Sequence, residues 1–572
     1  MREAVGLRLH RLFRFRYTGI TVLLLAFTAV LSLTQQQVRS TKSEVRAVPT
    51  VLRTSNFVLP AAAAAPSLAQ SEHAHAPAAP ELLRVAQRPV SLRAGIGSAH
   101  DPVSSASPRA QSFYDQGLAY LHSYVWLEAA RSFNQALRID PRLALAHLGL
   151  TIAYVELNAS PAARAALDRA RALASTDHDK RHVSARALQM DAEAAPGAVA
   201  KLAAYRAELD EALRKFPADE ELWLQRGQAE SPDPAERGQG SVAASVRFYE
   251  KALALDPSHF AAHHYLTHAY ENTGRLQDAL TQGATYAKMA PAIPHARHMD
   301  GHNLRRAGRI DEAIAEFSAA DALETAYFAA EKIPVEYDWH YQHNLDLLAT
   351  SFQYIGQMRK AEELFTRSFA IPSSLLVQEF NKREWPVFLL ARGRPQEALA
   401  AANTMAAHRS PVVSAAGHVE AGRARLGLGQ FKEAADEGNV ALRLMRGTEG
   451  AGIVADSLQA FQGEFLLRTG KQAQGRPMLE DVVRKTRARP GPDAWTQALF
   501  TIEAIARAAR DVGDWDLAAW TARQMLEHDA NYAGSHRALA LVAEHQGDAQ
   551  TARAERALVE KYWKNADPDV KK

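Results

Sequence analysis

The sequence predicts an all-α solenoid of helix hairpins, preceded by one membrane-spanning helix and a disordered linker. Three observations carry that expectation. A glycine followed five residues later by a small residue recurs down the chain. Alanine, the strongest helix former, is abundant throughout. A short apolar run near the start is flanked by arginines.

Length and composition set the outer bounds. At 572 residues the chain is too long for a single compact core, so several domains or a repeat array are expected. Hydrophobic residues make up 47% and charged residues 23%, ordinary for a folded soluble protein. The net charge is +3, with Lys and Arg spread along the chain, which argues against a nucleic-acid partner. There is no cysteine, which excludes disulfides, thiolate metal sites and a cysteine nucleophile.

The first 16 residues are basic, with Arg2, Arg8, Arg11, Arg14 and Arg16, and are expected in the cytoplasm. Tyr17 to Leu33 is apolar and just long enough to span a bilayer, so 17–34 reads as a signal anchor. The alternative is a cleaved signal peptide. It lacks its small-x-small site, because Leu31-Ser32-Leu33 is followed by Thr34-Gln35-Gln36. Residues 35–106 hold the run Ala61 to Ala65 and then Pro66, Pro77 and Pro80 among Ser and Ala. They read as a flexible linker.

From 107 to 566 the chain repeats itself. The glycine–small pairs are Gly274/Ala279, Gly308/Ala313, Gly356/Ala361, Gly393/Ala398, Gly429/Ala434, Gly470/Gly475, Gly513/Ala518 and Gly547/Ala552. Successive glycines lie 34, 48, 37, 36, 41, 43 and 34 residues apart. Glycine ends a first helix, because a left-handed residue there costs it little. The small residue lets the second helix pack close. Phe113, Gly117, Tyr120, Ala129, Phe133, Ala136 and Pro141 mark one unit, and Leu150, Tyr154, Ala163, Leu167 and Ala170 the next. About ten to twelve units fit. Segments 171–200, 228–244 and 319–340 exceed the repeat length and read as long loops or distorted helices.

These positions resemble the tetratricopeptide repeat family. The resemblance implies a right-handed superhelix whose concave face, lined by first helices, holds a peptide or protein segment. The start of the array, from Ser107 to Tyr124, also resembles an uncharacterised bacterial subgroup with His-Met-x-x-His and His-Asn motifs. Here these stand as His298-Met299-Asp300-Gly301-His302 and His343-Asn344. For a bacterial chain, the arginine bias places the anchor in the inner membrane and the repeats in the periplasm. After signal cleavage they would be released there.

Nine of the 22 histidines fall between His259 and His343. His264 and His268 are four apart, as are His298 and His302, so each pair shares a helix face. The pairs are 34 residues apart, one repeat, and should lie side by side on neighbouring first helices. His343 and Asp346 follow on the next first helix, with Asn272, Arg305 and Arg306 at the rim. Three readings compete. The ladder is a polar groove for a partner peptide, a site for a divalent transition metal, or packing. The reading carried forward is a membrane-anchored scaffold binding a protein or peptide through His264, His268, Asn272, His298, His302, Arg305, His343 and Asp346, without a cofactor. The alternative is zinc, copper or nickel on His264, His268, His298 and His302, for metal handling or as a metallohydrolase. Motifs for hydrolysis or nucleotide binding are absent, so an enzyme is not expected.

Overall fold

The computed structural model describes residues 80–373, 376–448, 451–489 and 494–570. The expected anchor at 17–34, the basic segment before it and the linker up to residue 79 lie outside the described residues. Among the described residues no helix is long and apolar enough to cross a membrane.

All regular structure among the described residues is helical. α1 (Pro80–Ala86) precedes twelve hairpins of a first and a second helix. They are α2 (Pro108–His122) with α3 (Trp126–Ile139), α4 (Ala144–Glu156) with α5 (Ser160–Leu173), α6 (Asp177–Glu193) with α7 (Val199–Lys215), and α8 (Glu220–Gln228) with α9 (Ala243–Leu255). Then come α10 (Phe260–Asn272) with α11 (Leu276–Met289), α12 (Pro294–Arg306) with α13 (Ile310–Glu331), and α14 (His340–Tyr354) with α15 (Met358–Ala370). The eighth first helix is split into α16 (Leu376–Asn381) and α17 (Glu384–Ala391), paired with α18 (Pro395–Ala406). The last four are α19 (Pro411–Gly427) with α20 (Phe431–Met445), α21 (Ala455–Arg468) with α22 (Gln472–Ala488), α23 (Ala494–Asp511) with α24 (Trp515–His528), and α25 (Ala533–His545) with α26 (Ala549–Tyr562).

The glycine pattern explains the hairpins. Gly274 ends α10 at φ +76°, and the seven later glycines of the series share that left-handed turn. There Gly274 N donates to Glu271 O at 3.2 Å and Arg275 N to Tyr270 O at 2.8 Å, which caps two carbonyls of the first helix. The small residue five positions on is the contact point: Ala279, Ala313, Ala361 and Ala398 are fully buried. In the first two hairpins the left-handed place is held by Tyr124 and Asn158 instead.

Stacking of neighbours accounts for most of the core, but some contacts skip several hairpins. The turn after α2 lies against α10 and α14. His264 Nδ1 donates to the carbonyl of His122 at 2.6 Å, and Trp339 Nε1 to that of Tyr124 at 2.9 Å. On the outer side Tyr327 donates to Glu128 at 2.8 Å and Arg131 to Glu331 at 3.0 Å. The chain's end does the same further on: Trp563 Nε1 donates to Tyr354 O at 2.8 Å, and Asp567 N to Gly356 O at 3.0 Å.

Both ends of the array depart from the expected boundaries. Residues 80–106, assigned to the linker on composition, pack on the hairpins. Leu82, Val85, Ala86, Ile96 and Ala99 are buried, and Ala292 N donates to Gly95 O at 2.8 Å. Leu82, Val85 and Ala86 share one face of the short helix α1, while Ile96 and Ala99 lie in the irregular strap that follows it. At the other end Val570 is buried, four residues past the expected limit. The long segments resolve differently from one another. α6 starts soon after α5, at a capping box of Thr176 and Asp179, and fills most of 171–200. α13 runs on to Glu331, and its extra turns carry Glu324 to His340 and Tyr327 and Glu331 to the first hairpin.

The loop from 229 to 242 is held by charge. Arg237 reaches Glu193 at 2.7 Å and Glu156 at 3.1 Å, and Arg186 reaches the same Glu193 oxygen at 2.7 Å. Burial pushes the Glu193 carboxyl up, but the two guanidinium groups outweigh it and hold it at about 2. A carboxyl held below its ordinary 4.5 adds stability above that pH and loses it as pH falls towards 2. Glu193→Gln should therefore cost about 3 kcal/mol at neutral pH. Urea unfolding at a series of pH values should show the gap to the parent closing between pH 4.5 and 2. An equal gap at both ends of that range would contradict this assignment.

Candidate metal centre

The histidines are brought together from three successive first helices, α10, α12 and α14. His264 and His268, one turn apart on α10, meet His295 from the first turn of α12. His264 Nε2 lies 3.0 Å from His268 Nε2 and 3.0 Å from His295 Nε2. His298 and His302, one turn apart on α12, meet His343 from the first turn of α14. His298 Nε2 and His302 Nε2 are 2.8 Å apart. Within each trio the candidate ligand atoms all lie within 4.8 Å of one another.

Nitrogens this close are either hydrogen-bonded or share an ion. Two ligands about 2.05 Å from one ion and at right angles sit about 2.9 Å apart, which does not separate the two cases. The outer hydrogen bonds fix which nitrogen of His264 and of His298 faces inward. A carbonyl only accepts, so His264 carries its proton on Nδ1, facing His122 O, and turns a lone pair on Nε2 into the trio. Asn344 donates its amide N–H to Phe317 O at 3.0 Å, which turns its oxygen to His298 Nδ1, also at 3.0 Å. His298 therefore also presents a lone pair at Nε2. His302 Nδ1 lies 3.5 Å from the Glu271 carboxylate. The His298 lone pair faces His302 Nε2 at 2.8 Å, where it accepts an N–H from that ring or joins it on a shared cation when His302 carries its proton on Nδ1.

Electrostatics keep these rings neutral. Burial, then the neighbouring His268, holds His264 well below the ordinary imidazole range. Burial, then His340, does the same to His298, and burial pushes His268 down to about 4. Neutral imidazole is the form that binds metal. Six imidazoles with no thiolate or carboxylate among them suit zinc, copper or nickel. His268, His295, His298, His302 and His343 line one partly open chamber of about 830 Å³.

The structure rearranges the expected ladder. His264, His268, His298 and His302 do not form one site. They divide into two trios, completed by His295 and His343. Nor do they line a groove open to water, since His264 is 0% and His298 1% exposed. The turn of the first hairpin covers His264, His268 and His295, a contact between distant repeats that repeat spacing does not reveal. Arg305 is no rim residue: it is fully buried, donates to Thr350 Oγ1 at 3.0 Å and stands over the Phe317 ring. Asp346 accepts from Ser368 Oγ at 2.6 Å between α14 and α15. Asn272 does reach the chamber wall, where it ties down the carbonyls of Gln239 and Ser241 at 2.8 and 3.1 Å.

Two participants escaped the ladder reading. His295 sits three residues before His298, off the expected face. His340 Nδ1 lies 2.5 Å from Glu324 Oε1, while its Nε2 is buried with no hydrogen-bond partner among the described residues. The His340 ring stands between the trios, with centroids 4.3 Å from His298 and 5.0 Å from His295. Its spacing of three from His343 on one helix was the available signal.

A family model described as tetratricopeptide repeat matches residues 248–281. The chain contains a tetratricopeptide repeat. That tetratricopeptide repeat includes His264 and His268. No curated protein matches the chain. Among solved structures, a tetratricopeptide repeat protein from Parabacteroides merdae is 14% identical. The match covers 50% of this chain and 99% of that one, with a TM-score of 0.34. The human IFIT1 dimer with PPP-AAAA is 13% identical over 74% of this chain and 91% of that one, with a TM-score of 0.38. The apo form of the quorum sensor NprR from B. thuringiensis is 10% identical over 74% and 98%, with a TM-score of 0.37.

Tyr124 roofs the first trio. Its ring centroid lies 4.7 Å from that of His264 and 5.0 Å from that of His295, and its backbone is left-handed at φ 59°. That conformation costs a tyrosine about 1–2 kcal/mol relative to glycine. Loss of a buried aromatic costs about 3–5 kcal/mol. Tyr124→Gly should therefore lower stability by about 2–4 kcal/mol in urea unfolding, despite relieving the backbone. A more stable variant would show that the ring contributes nothing to the roof.

Proposed function

We propose that this protein is a repeat scaffold that holds transition-metal ions, copper, zinc or nickel, at two three-histidine centres on the wall of its chamber. The observation that carries the reading is the convergence of three imidazole nitrogens in each trio within 4.8 Å of one another, with His264 and His298 turning Nε2 lone pairs inward through their bonds to the His122 carbonyl and Asn344. The repeats position the ligands: each centre takes an i, i+4 pair from one first helix and a third imidazole from the next. The proposal is metal binding, and it assigns no reaction.

The chamber also supports the partner reading at a smaller scale. A volume of about 830 Å³ suits a small ligand or a few residues of peptide, not a folded domain. Arg383, Arg423 and Arg489 line it, each paired with a carboxylate of this chain. An anionic ligand would meet them in competition with Glu384, Glu464 and Asp456. The membrane anchor and periplasmic setting expected from residues 1–34 belong to the same proposal.

Calorimetric titration of the metal-free full chain with copper tests it. Two ions should bind per chain. His264→Ala and His302→Ala should each remove one, and the double variant both, or weaken them at least tenfold. A double variant that titrates like the parent would refute the reading and return the histidines to packing.

A further inference from the structure

One geometric device occurs three times. Two histidines four apart on a first helix meet a ligand from the start of a following first helix. His264 and His268 meet His295 in this way, and His298 and His302 meet His343. The third instance lies outside the chamber. His178 and His182, one turn apart on α6, meet Asp219, the N-cap of α8. Asp101, from the strap that precedes α2, completes the group.

We propose that His178, His182, Asp219 and Asp101 form a zinc site, separate from the chamber centres and independent of their occupancy. His178 Nε2 and His182 Nε2 lie 3.0 and 2.9 Å from the same oxygen, Oδ2 of Asp219. Asp101 Oδ1 lies 3.4 Å from His178 Nε2, and the four ligand atoms all fall within 4.8 Å of one another. Both carboxylates are held from behind. Tyr114 donates to Asp101 Oδ2 at 3.1 Å, and Leu222 N to Asp219 Oδ1 at 3.0 Å, so in each case the other oxygen faces the cluster. Asp101 and His182 are buried, at 4% and 3% exposure, while His178 is partly open to solvent and gives a route in. A cavity of about 50 Å³ beside them, bounded by Asp101, Tyr114, His182 and Glu221, has room for an ion with water.

The ligand set names the ion. Two carboxylates carry a formal charge of −2, which cancels a dication. Two imidazoles complete the four-coordinate N₂O₂ set that zinc accepts. The all-histidine centres carry no such charge, so the two kinds of site should differ in metal preference. The zinc site also joins separate parts of the chain. It clips the strap at Asp101 to α6 and α8, next to the Ser104 Oγ to Asp179 contact at 3.3 Å.

The test is zinc titration of the metal-free full chain, by calorimetry and by metal analysis after gel filtration. His178→Ala alters a partly exposed residue. Asp219→Asn keeps the helix cap, since asparagine caps as well as aspartate. Both should keep their helical circular dichroism. Each should bind one zinc fewer than the parent, or bind that ion at least tenfold more weakly, with copper at the chamber unchanged. Zinc should slow proteolysis between residues 87 and 107 in the parent and not in the variants. Equal zinc stoichiometry and affinity in parent and both variants would overturn the proposal. It would leave the cluster as an ion-pair network in which both rings donate to Asp219. Copper binding unchanged in the His264→Ala/His302→Ala double variant, with zinc lost in His178→Ala and Asp219→Asn, would leave this site standing alone.

Discussion

The structure around the chamber depends on a contact between repeats far apart in sequence: the turn after α2 laid against α10 and α14. Its two principal bonds are those from His264 to the His122 carbonyl and from Trp339 to the Tyr124 carbonyl. Remove that contact and α10, α12 and α14 present their histidines to water. With it, desolvation holds the rings neutral and the outer bonds decide which nitrogen of each faces inward. A surface feature of three helices thus becomes an enclosed, directional one.

The direction of the lone pairs matters more than the number of histidines. A buried imidazole without a partner loses a hydrogen bond worth about 1–3 kcal/mol. Glu324 beside His340 and Asn344 beside His298 fix the orientation of those rings. The covering turn itself carries strain, since a tyrosine occupies a left-handed position that glycine fills in the eight later hairpins.

How much of this was legible follows the range of each interaction. The hairpin turns were readable because their cause is local. Gly274 and its successors sit at the predicted left-handed position, and Ala279 and its successors at the predicted contact. The pairs His264/His268 and His298/His302 were readable for the same reason, as i, i+4 neighbours on a helix. His295 was not, because it joins α10 from the first turn of α12, and repeat spacing matches His298 with His264 instead. Arg305 and Asp346 were placed on the correct helices but the wrong face. The strap at 80–106 was taken for linker because its buried residues, Leu82, Val85, Ile96 and Ala99, lie in stretches too short to show a sustained period. Asp101 and Asp219 were missed altogether, being aspartates that look like ordinary loop and cap residues until α6 is set beside them.

The across-turn contacts also bear on how the chain reaches its native state. A solenoid whose units touch only their neighbours can grow from any point and lose units from its ends one at a time. Here the first hairpin is completed by residues near 264, 331 and 339, and the seventh by residues near 529 and 563. During synthesis the early hairpins must wait for more than two hundred residues to emerge before their exposed edge is covered. The array therefore assembles as interlocked blocks, and an N-terminal fragment ending before residue 340 would carry an unfinished surface where the complete protein has its chamber wall.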